Sequence, residues 1–177
     1  MRWRERPWAF CDEQGRHLNH GTAILETEEQ CLAYLAAYGK MHDHKLRRAL
    51  DDKEFPFHYI KDGVEIYDWG CGQGLGTIAL VECLREKGML NLLKRVYLEE
   101  PSDMARSKAL LHINQSLNKT KVEVIESNKF LPSDKDDNNA ITSIDVNERC
   151  TIHIFSNILD IEEVSLKKTS QLVASSG

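Results

Sequence analysis

The fold is decided by the stretch Val64-Glu65-Ile66-Tyr67-Asp68-Trp69-Gly70-Cys71-Gly72-Gln73-Gly74-Leu75-Gly76-Thr77. It predicts a short apolar strand with an acid near its end, a loop with glycine at every second position, and a helix that begins near Leu75. Glycine suits a loop that bends tightly and lets a ligand lie against the backbone. Doubly wound α/β proteins bind nucleotide-like ligands with this order of elements, at the carboxyl ends of their strands. We therefore expect a ligand site at this loop.

Two known kinds of nucleotide-binding loop do not fit this stretch. A dinucleotide fingerprint requires G-x-G-x-x-G or a final alanine, but the third position is Leu75 counted from Gly70 and Thr77 counted from Gly72. A phosphate-binding P-loop requires Gly-Lys-Ser or Gly-Lys-Thr, which the sequence lacks. An ordinary tight turn between a strand and a helix remains the structural alternative.

The pattern D-x-G-x-G-x-G, from Asp68 to Gly74, resembles motif I of class I S-adenosylmethionine-dependent methyltransferases. The resemblance implies an α/β fold with a doubly wound, mostly parallel, Rossmann-like sheet, and S-adenosyl-L-methionine as the cofactor. It also implies that Gly70, Gly72 and Gly74 let the backbone approach the cofactor. Asp68 would orient the loop and meet the ammonium group of the cofactor, directly or through water. The Cys71 thiol has a packing role in this interpretation, because methyl transfer needs no enzyme thiol.

A second motif follows a helix predicted over Leu75 to Glu86, which Gly88 can end. The segment 95–102 predicts a strand that ends in two acids, then a turn at Pro101 and a helix capped by Ser102 that runs to about Leu117. A carboxylate at the end of the second strand can accept hydrogen bonds from both hydroxyls of a ribose.

The family often carries acid-x-Ser at this place, which matches Glu100-Pro101-Ser102. We therefore give the ribose role to Glu100 and keep Glu99 as the second candidate, since adjacent strand residues point to opposite faces. A solvated acidic strand end is the alternative.

Two more strands are expected further along the chain. Lys121 to Ile125 alternates charged and β-branched residues, which is typical of an edge strand. The family implies adenine contacts just beyond it, from Glu126, Ser127 or Asn128, although a polar turn explains these residues equally well. Residues 128–149 predict a solvated loop, whose acidic run lacks the glycine and glutamate of an EF-hand.

The last predicted strand, beginning at Cys150, ends at Ser156-Asn157. Its exit resembles the fourth strand of the family, whose end faces cofactor and substrate. Asn157 can bind either one, or it can cap the next helix, expected from about Ile161 to Val173. The Asn/Asp-Pro-Pro-aromatic signature of enzymes that methylate exocyclic amino groups is absent, as is the Pro-Cys nucleophile of cytosine-C5 enzymes.

An N-terminal extension of about sixty residues precedes the glycine loop, and residues 61–177 are expected to form the cofactor-binding domain. Three arginines interleave with aromatic residues between Arg2 and Phe10, which suits either a nucleic acid or, as we prefer, a hairpin that turns at Gly15. Thr27 and Gln30 predict a capping box, and Gly39 can divide the helix that follows. The triplet 42–44, His-Asp-His, predicts a polar helix face rather than a metal site, because residues i and i+2 diverge around a helix.

The length fits one domain, and the hydrophobic share of 41% suffices for a core. The formal net charge is −5, which provides no global attraction to nucleic acid or membrane. The five cysteines form no C-x-x-C pair, so a zinc site or a disulfide framework is not expected. The sequence has no apparent signal peptide and no apolar run long enough to span a membrane. We expect a cytoplasmic protein.

The resemblance covers roughly residues 60 to 165 and includes only four of the seven strands that the family arranges as 3-2-1-4-5-7-6. We therefore expect an incomplete sheet, with the fourth strand as an unpaired edge that invites self-association or a partner chain. The expected function is methyl transfer to an unidentified acceptor. The alternatives are a catalytically silent cofactor-binding or scaffold subunit and, disfavoured by the glycine spacing, an NAD-dependent oxidoreductase. No catalytic base is assigned, and the expected cofactor-binding residues are Asp68, Gly70, Cys71, Gly72, Gly74, Glu100, Pro101 and Asn157.

Overall fold

The computed structural model describes Leu18 and residues 23–135, 138–144, 149–159 and 161–175. The arginine and aromatic segment from Arg2 to Phe10, and the turn expected at Gly15, lie outside these residues. The same holds for Asp136 and Asp137 of the acidic run.

Four parallel strands form a single sheet: β1 (Val64–Trp69), β2 (Leu93–Glu99), β3 (Glu123–Ser127) and β4 (Cys150–Phe155). Their order across the sheet is β3-β2-β1-β4. This confirms the predicted α/β class with a parallel sheet. The chain winds outward from β1 to β3 and then returns to the other side of β1, so the strand order reverses between β1 and β4. Open α/β sheets bind ligands at such a reversal.

The helices account for most of the remaining regular structure. A helical segment begins at Glu28 and continues to Leu50 through a π-helical turn. Gly39 lies in that turn, so it does not divide the helix, contrary to expectation. The last helix begins five residues later than predicted, because Ser165 caps it. The bounds are α1 (Glu28–Tyr34), the π turn (Leu35–Gly39), α2 (Lys40–Leu50), α3 (Leu75–Glu86), α4 (Asp103–Ser116) and α5 (Leu166–Ala174), with 3₁₀ turns at Phe57–Tyr59 and Leu90–Leu92.

Side-chain caps explain where several helices begin. The Thr27 hydroxyl accepts a hydrogen bond from the Gln30 backbone N–H at 3.2 Å, and Gln30 Oε1 accepts one from the Thr27 N–H at 3.0 Å. This confirms the predicted capping box of α1. The Ser102 hydroxyl oxygen likewise accepts a hydrogen bond from the Ala105 N–H at 3.0 Å, as predicted for α4.

One face of the sheet packs against α2, α3 and α4. Ile66 of β1 and Leu98 of β2 are fully buried there against Leu80, Leu84 and Ile113. Leu46 and Leu50 of α2 contact the same core, so the helical extension packs against it, chiefly through α3.

The opposite face carries an aromatic layer. Tyr67 stacks on Tyr97 with ring centroids 4.2 Å apart and on His153 at 5.1 Å, because these residues are paired in register across the strands. The layer is covered by residues of the segment between β3 and β4 and of α5, including Ile141, Ile144 and Leu172. The segment expected to be a solvated loop therefore contributes to a core.

Two strands form the edges of the sheet. β3 is an edge, as its alternating pattern predicts, but it begins two residues later than expected. Within the described ranges, β4 pairs only with β1, so its outer side has no strand partner. The expected open edge at the fourth strand is therefore present in this part of the chain.

Candidate functional site

A cavity of about 910 Å³ lies beyond the carboxyl ends of the strands, where the strand order reverses. Its wall is formed by the glycine loop, the end of β2, the exit of β4 and the segment after β3. Five of the eight expected cofactor-binding residues line it, and three lie behind the wall. The five are Gly70, Gly72, Glu100, Pro101 and Asn157; the three are Asp68, Cys71 and Gly74.

The three loop glycines serve different purposes. A Cβ at Gly70 would lie 2.7 Å from Ile158 Cγ2, and one at Gly74 would lie 2.9 Å from Ile113 Cδ1, so both positions need glycine for packing. A Cβ at Gly72 would meet no atom within 4 Å, although its φ of +53° favours glycine. Gly72 is thus the glycine whose missing side chain leaves space in the cavity.

Asp68 lies beneath the start of α3, on the protein side of the loop. Its Oδ2 accepts hydrogen bonds from the Thr77 N–H at 3.0 Å and the Thr77 hydroxyl at 2.7 Å. Burial raises the pKa of this carboxyl to about 6, against the opposing effect of the Thr77 hydrogen bonds. Asp68 therefore orients the loop through α3, but it does not line the cavity.

Cys71 is also buried behind the wall. Its backbone N–H donates to the Glu99 carbonyl at 3.1 Å, which joins the loop to the end of β2. Burial raises the pKa of the Cys71 thiol, and the nearby carboxylates raise it further. A protonated thiol is a poor nucleophile, which agrees with a packing role.

Glu100 connects the two sequence motifs. Its Oε2 accepts a hydrogen bond from the Gly72 N–H at 2.9 Å, and its Oε1 accepts one from the Ser102 N–H at 2.9 Å. Burial raises the pKa of this carboxyl, while those two N–H groups and the Arg106 guanidinium favour the charged form. Each carboxylate oxygen has a second lone pair, so both can still accept a hydrogen bond from a ligand.

Glu99 also lines the cavity, contrary to the expectation that it would point away from the side that Glu100 faces. Glu100 follows the last residue of β2, so the alternation of a strand does not separate the two side chains. Glu99 Oε2 is buried and has no hydrogen-bond partner among the described residues. Burial raises the pKa of Glu99, and a hydrogen bond with Ser127 opposes the shift.

Asn157 lies at the exit of β4, with a φ of +60°. Lys45 Nζ donates to Asn157 Oδ1 at 2.8 Å, which turns the amide nitrogen towards His42 Nε2, 2.9 Å away. His42 then accepts the hydrogen bond as a neutral ring. Burial lowers the pKa of His42, and the Lys45 charge lowers it further, which agrees with that assignment. Asn157 thus binds α2, and Ser165 caps the following helix in its place.

The interpretation of residues 42–44 as a polar helix face is wrong for His42, which is 8% exposed and stacks on Tyr38. It holds for Asp43, which pairs with Arg47 on the surface. The part of the chain that the structure describes contains no group of three potential metal ligands.

Sequence reasoning missed several cavity residues. Gln73 lies in the loop between two glycines, yet only its long-range contact with Cys31 marks it as a buried site residue. Beyond β3 the wall is formed by Lys129, Phe130 and Leu131, whereas the expected adenine contacts at 126–128 do not line it. The strand position alone could not reveal which turn residues face inward.

No helix within the described ranges is both long and apolar enough to cross a membrane. In a comparison with models of known protein families and with curated proteins, the chain matches none of them.

Proposed function

We propose that the chain binds S-adenosylmethionine in this cavity and transfers its methyl group to an acceptor. The observation that carries the proposal is the pairing of Gly72 with Glu100. Gly72 leaves open space beside the cavity, and its N–H holds a carboxylate that borders the same space. A nucleoside needs both features, because its sugar must approach the backbone closely while its hydroxyl groups need acceptors.

The remaining walls suit the rest of such a ligand. Phe130 and Leu131 provide apolar surface on the β3 side, where an adenine ring would lie if Glu100 holds the ribose. The glycine loop and the exit of β4 border the opposite side. A cavity of about 910 Å³ falls within the range of small-molecule sites, with space for a cofactor and part of an acceptor.

In this mechanism the bound cofactor supplies an electrophilic methyl group on a sulfonium centre. The chain's own residues bind and orient: Glu100 holds the sugar hydroxyl groups, and the loop around Gly72 lies against the ligand. Tyr34 of α1 borders the cavity, and the His42–Asn157 contact holds α2 against the exit of β4. Alignment of the two reacting groups can supply a large part of the rate acceleration of such a displacement.

Isothermal titration calorimetry with S-adenosylhomocysteine, S-adenosylmethionine and NAD tests the proposal directly. We expect S-adenosylhomocysteine to bind more tightly than NAD or NADP, because the loop lacks the dinucleotide spacing. Equal or tighter binding of NAD would overturn the proposal.

The second candidate is a catalytically silent cofactor-binding or scaffold subunit. Among the described residues no strand pairs with the outer side of β4, which favours this candidate, since later strands usually build the acceptor side of the pocket in the family that the loop resembles. A methyl-transfer assay with a mixture of acceptors separates the two candidates. Cofactor binding without any turnover supports the silent subunit.

A further inference from the structure

Three side chains join α2 to the exit of β4 in a chain of hydrogen bonds that fits only one distribution of protons. The Lys45 ammonium has donors and no acceptor, so it faces the amide oxygen of Asn157, at 2.8 Å. The amide nitrogen of Asn157 therefore faces His42 Nε2 at 2.9 Å and donates to it. The ring accepts this hydrogen bond only while Nε2 carries no proton.

A proton on His42 Nε2 breaks this chain. The ring nitrogen and the Asn157 amide nitrogen then face each other as two donors. A flip of the amide satisfies the protonated ring but turns the amide nitrogen against Lys45 Nζ, which also donates. Either way, one of the two contacts that hold the Asn157 side chain on α2 is lost.

Among the described residues, the groups around His42 offer a protonated ring no counter-ion. Burial keeps the pKa of the ring below its ordinary value of 6.5, and the charge of Lys45 lowers it further. The rings that contact His42 are the phenols of Tyr34 in α1 and Tyr38 in the π turn. The acids of neighbouring elements act on other groups: Asp43, Glu82 and Glu86 act on Arg47, and Glu100 acts on Tyr34.

The position of Asn157 matters because this residue lines the cavity. Its φ of +60° lies in the left-handed region, which asparagine tolerates better than most residues but which still needs support from the surrounding structure. The neighbouring Ser156 and Ile158 line the cavity too. Loss of the contact with α2 therefore loosens this whole part of the wall.

We propose that His42 is a positioning residue of the cavity: the neutral ring holds Asn157 in the wall, and proton uptake releases Asn157 and weakens ligand binding. The effect on binding rests on the proposed function, whereas the hold of His42 on Asn157 does not. The proposal gives α2 a part in ligand binding through His42 and Lys45. It also makes the site sensitive to pH in the range where histidine titrates.

The test makes the same substitution at two histidines of α2. His42→Gln keeps an oxygen that can accept from Asn157 and removes the group that titrates. His44→Gln, on the exposed side of α2, is the control. Calorimetry measures S-adenosylhomocysteine binding at about pH 7.5 and about pH 5.5, and NMR follows the side-chain amide of Asn157 over the same range without ligand. Any titration of Asp68 or Glu100 is common to all three proteins, so the comparison isolates His42.

We expect the wild-type protein and His44→Gln to bind roughly two- to tenfold more weakly at the lower pH, since a ring with a pKa of 6.5 changes the affinity by about tenfold at most. His42→Gln should change by less than about twofold. The Asn157 amide signals should shift with pH in the wild-type protein and stay constant in His42→Gln.

The same pH dependence of binding in all three proteins overturns the role of His42 in binding and leaves the proposed function intact. Failure of the wild-type protein to bind S-adenosylhomocysteine at either pH overturns the proposed function, and with it the effect on binding. The Asn157 signals then decide whether His42 holds Asn157, and signals that ignore pH in the wild-type protein overturn that hold. If His42→Gln does not fold, the wild-type signals still decide, because their shift must follow the titration of the His42 ring.

Discussion

Gly72→Ala tests whether a ligand lies against the glycine loop. A methyl group at this position meets no atom of the described protein within 4 Å, so the substitution causes no internal clash. It does introduce strain, because a left-handed conformation costs an L-residue about 1–2 kcal/mol. The reduced freedom of the unfolded chain offsets about 0.4–1 kcal/mol of that cost. We therefore expect a net loss of about 1 kcal/mol in the free energy of unfolding, and a folded variant.

Gly88→Ala is the matched control. Gly88 has a φ of +71°, and a Cβ at this position would likewise meet no atom within 4 Å, but Gly88 lies just beyond the end of α3 and outside the cavity wall. The two variants should carry the same backbone strain. Both should melt roughly 2–4 °C below the wild-type protein, as expected for a chain of this size.

Ligand binding should separate the two variants. If S-adenosylhomocysteine lies against Gly72, the added methyl group crowds it at a cost of about 1–3 kcal/mol, the scale of overpacking at a close contact. Calorimetry should then show a dissociation constant that is roughly 5- to 150-fold larger for Gly72→Ala and unchanged for Gly88→Ala. If both variants bind like the wild-type protein, no ligand lies against the loop and the reasoning is refuted.

Three further predictions concern the acids and the sheet edge. Glu100→Ala should weaken S-adenosylhomocysteine binding by about 1.5–3 kcal/mol in calorimetry, and by more than Glu99→Ala does; the reverse order would give the ribose role to Glu99. Burial raises the pKa of Asp68 to about 6, so the folded protein holds a proton there that the unfolded chain releases. The free energy of unfolding should therefore receive a contribution from Asp68 that falls as the pH rises from about 4 to 6, and Asp68→Asn should remove it. Urea unfolding from about pH 4 to 6 gives the free energy of unfolding of the wild-type protein and of Asp68→Asn. If the two free energies change with pH in parallel, the assignment is contradicted. The outer side of β4, with which no described strand pairs, should cause self-association in size-exclusion chromatography, whereas a monodisperse monomer at high concentration would show that this edge is protected.

The elements around the glycine loop are the part of the fold that the sequence predicts best. The bounds of α3 and the cap of α4 agree with expectation, because local signals determine them: glycine before and after one helix, and Ser102 before the other. β3 is less well predicted. The alternation of charged and β-branched residues does not mark either end of this strand, and its pairing with β2 decides that it spans Glu123–Ser127.

The candidate site is predicted only in part, because much of it depends on contacts between distant residues. His42 and Asn157 are 115 positions apart, and neither carries a local signal of the other. The contact of Gln73 with Cys31 spans 42 positions. The pattern D-x-G-x-G-x-G identifies the loop, but it does not distinguish the residues that face the cavity from those that support the loop from behind.

The π turn at Leu35–Gly39 has a consequence for the length of the N-terminal helix. A π turn accommodates one residue more than an α-helical turn, so it rotates everything after it by about 100° relative to a regular helix. Before the turn, the Cys31 carbonyl meets Gln73; after it, His42 meets Asn157. A regular α-helix with the same number of residues would keep one of these contacts in phase and turn the other away, whereas a regular helix with one residue fewer would keep both. The helix should therefore tolerate the deletion of a single residue within Leu35–Gly39 better than the insertion of one there.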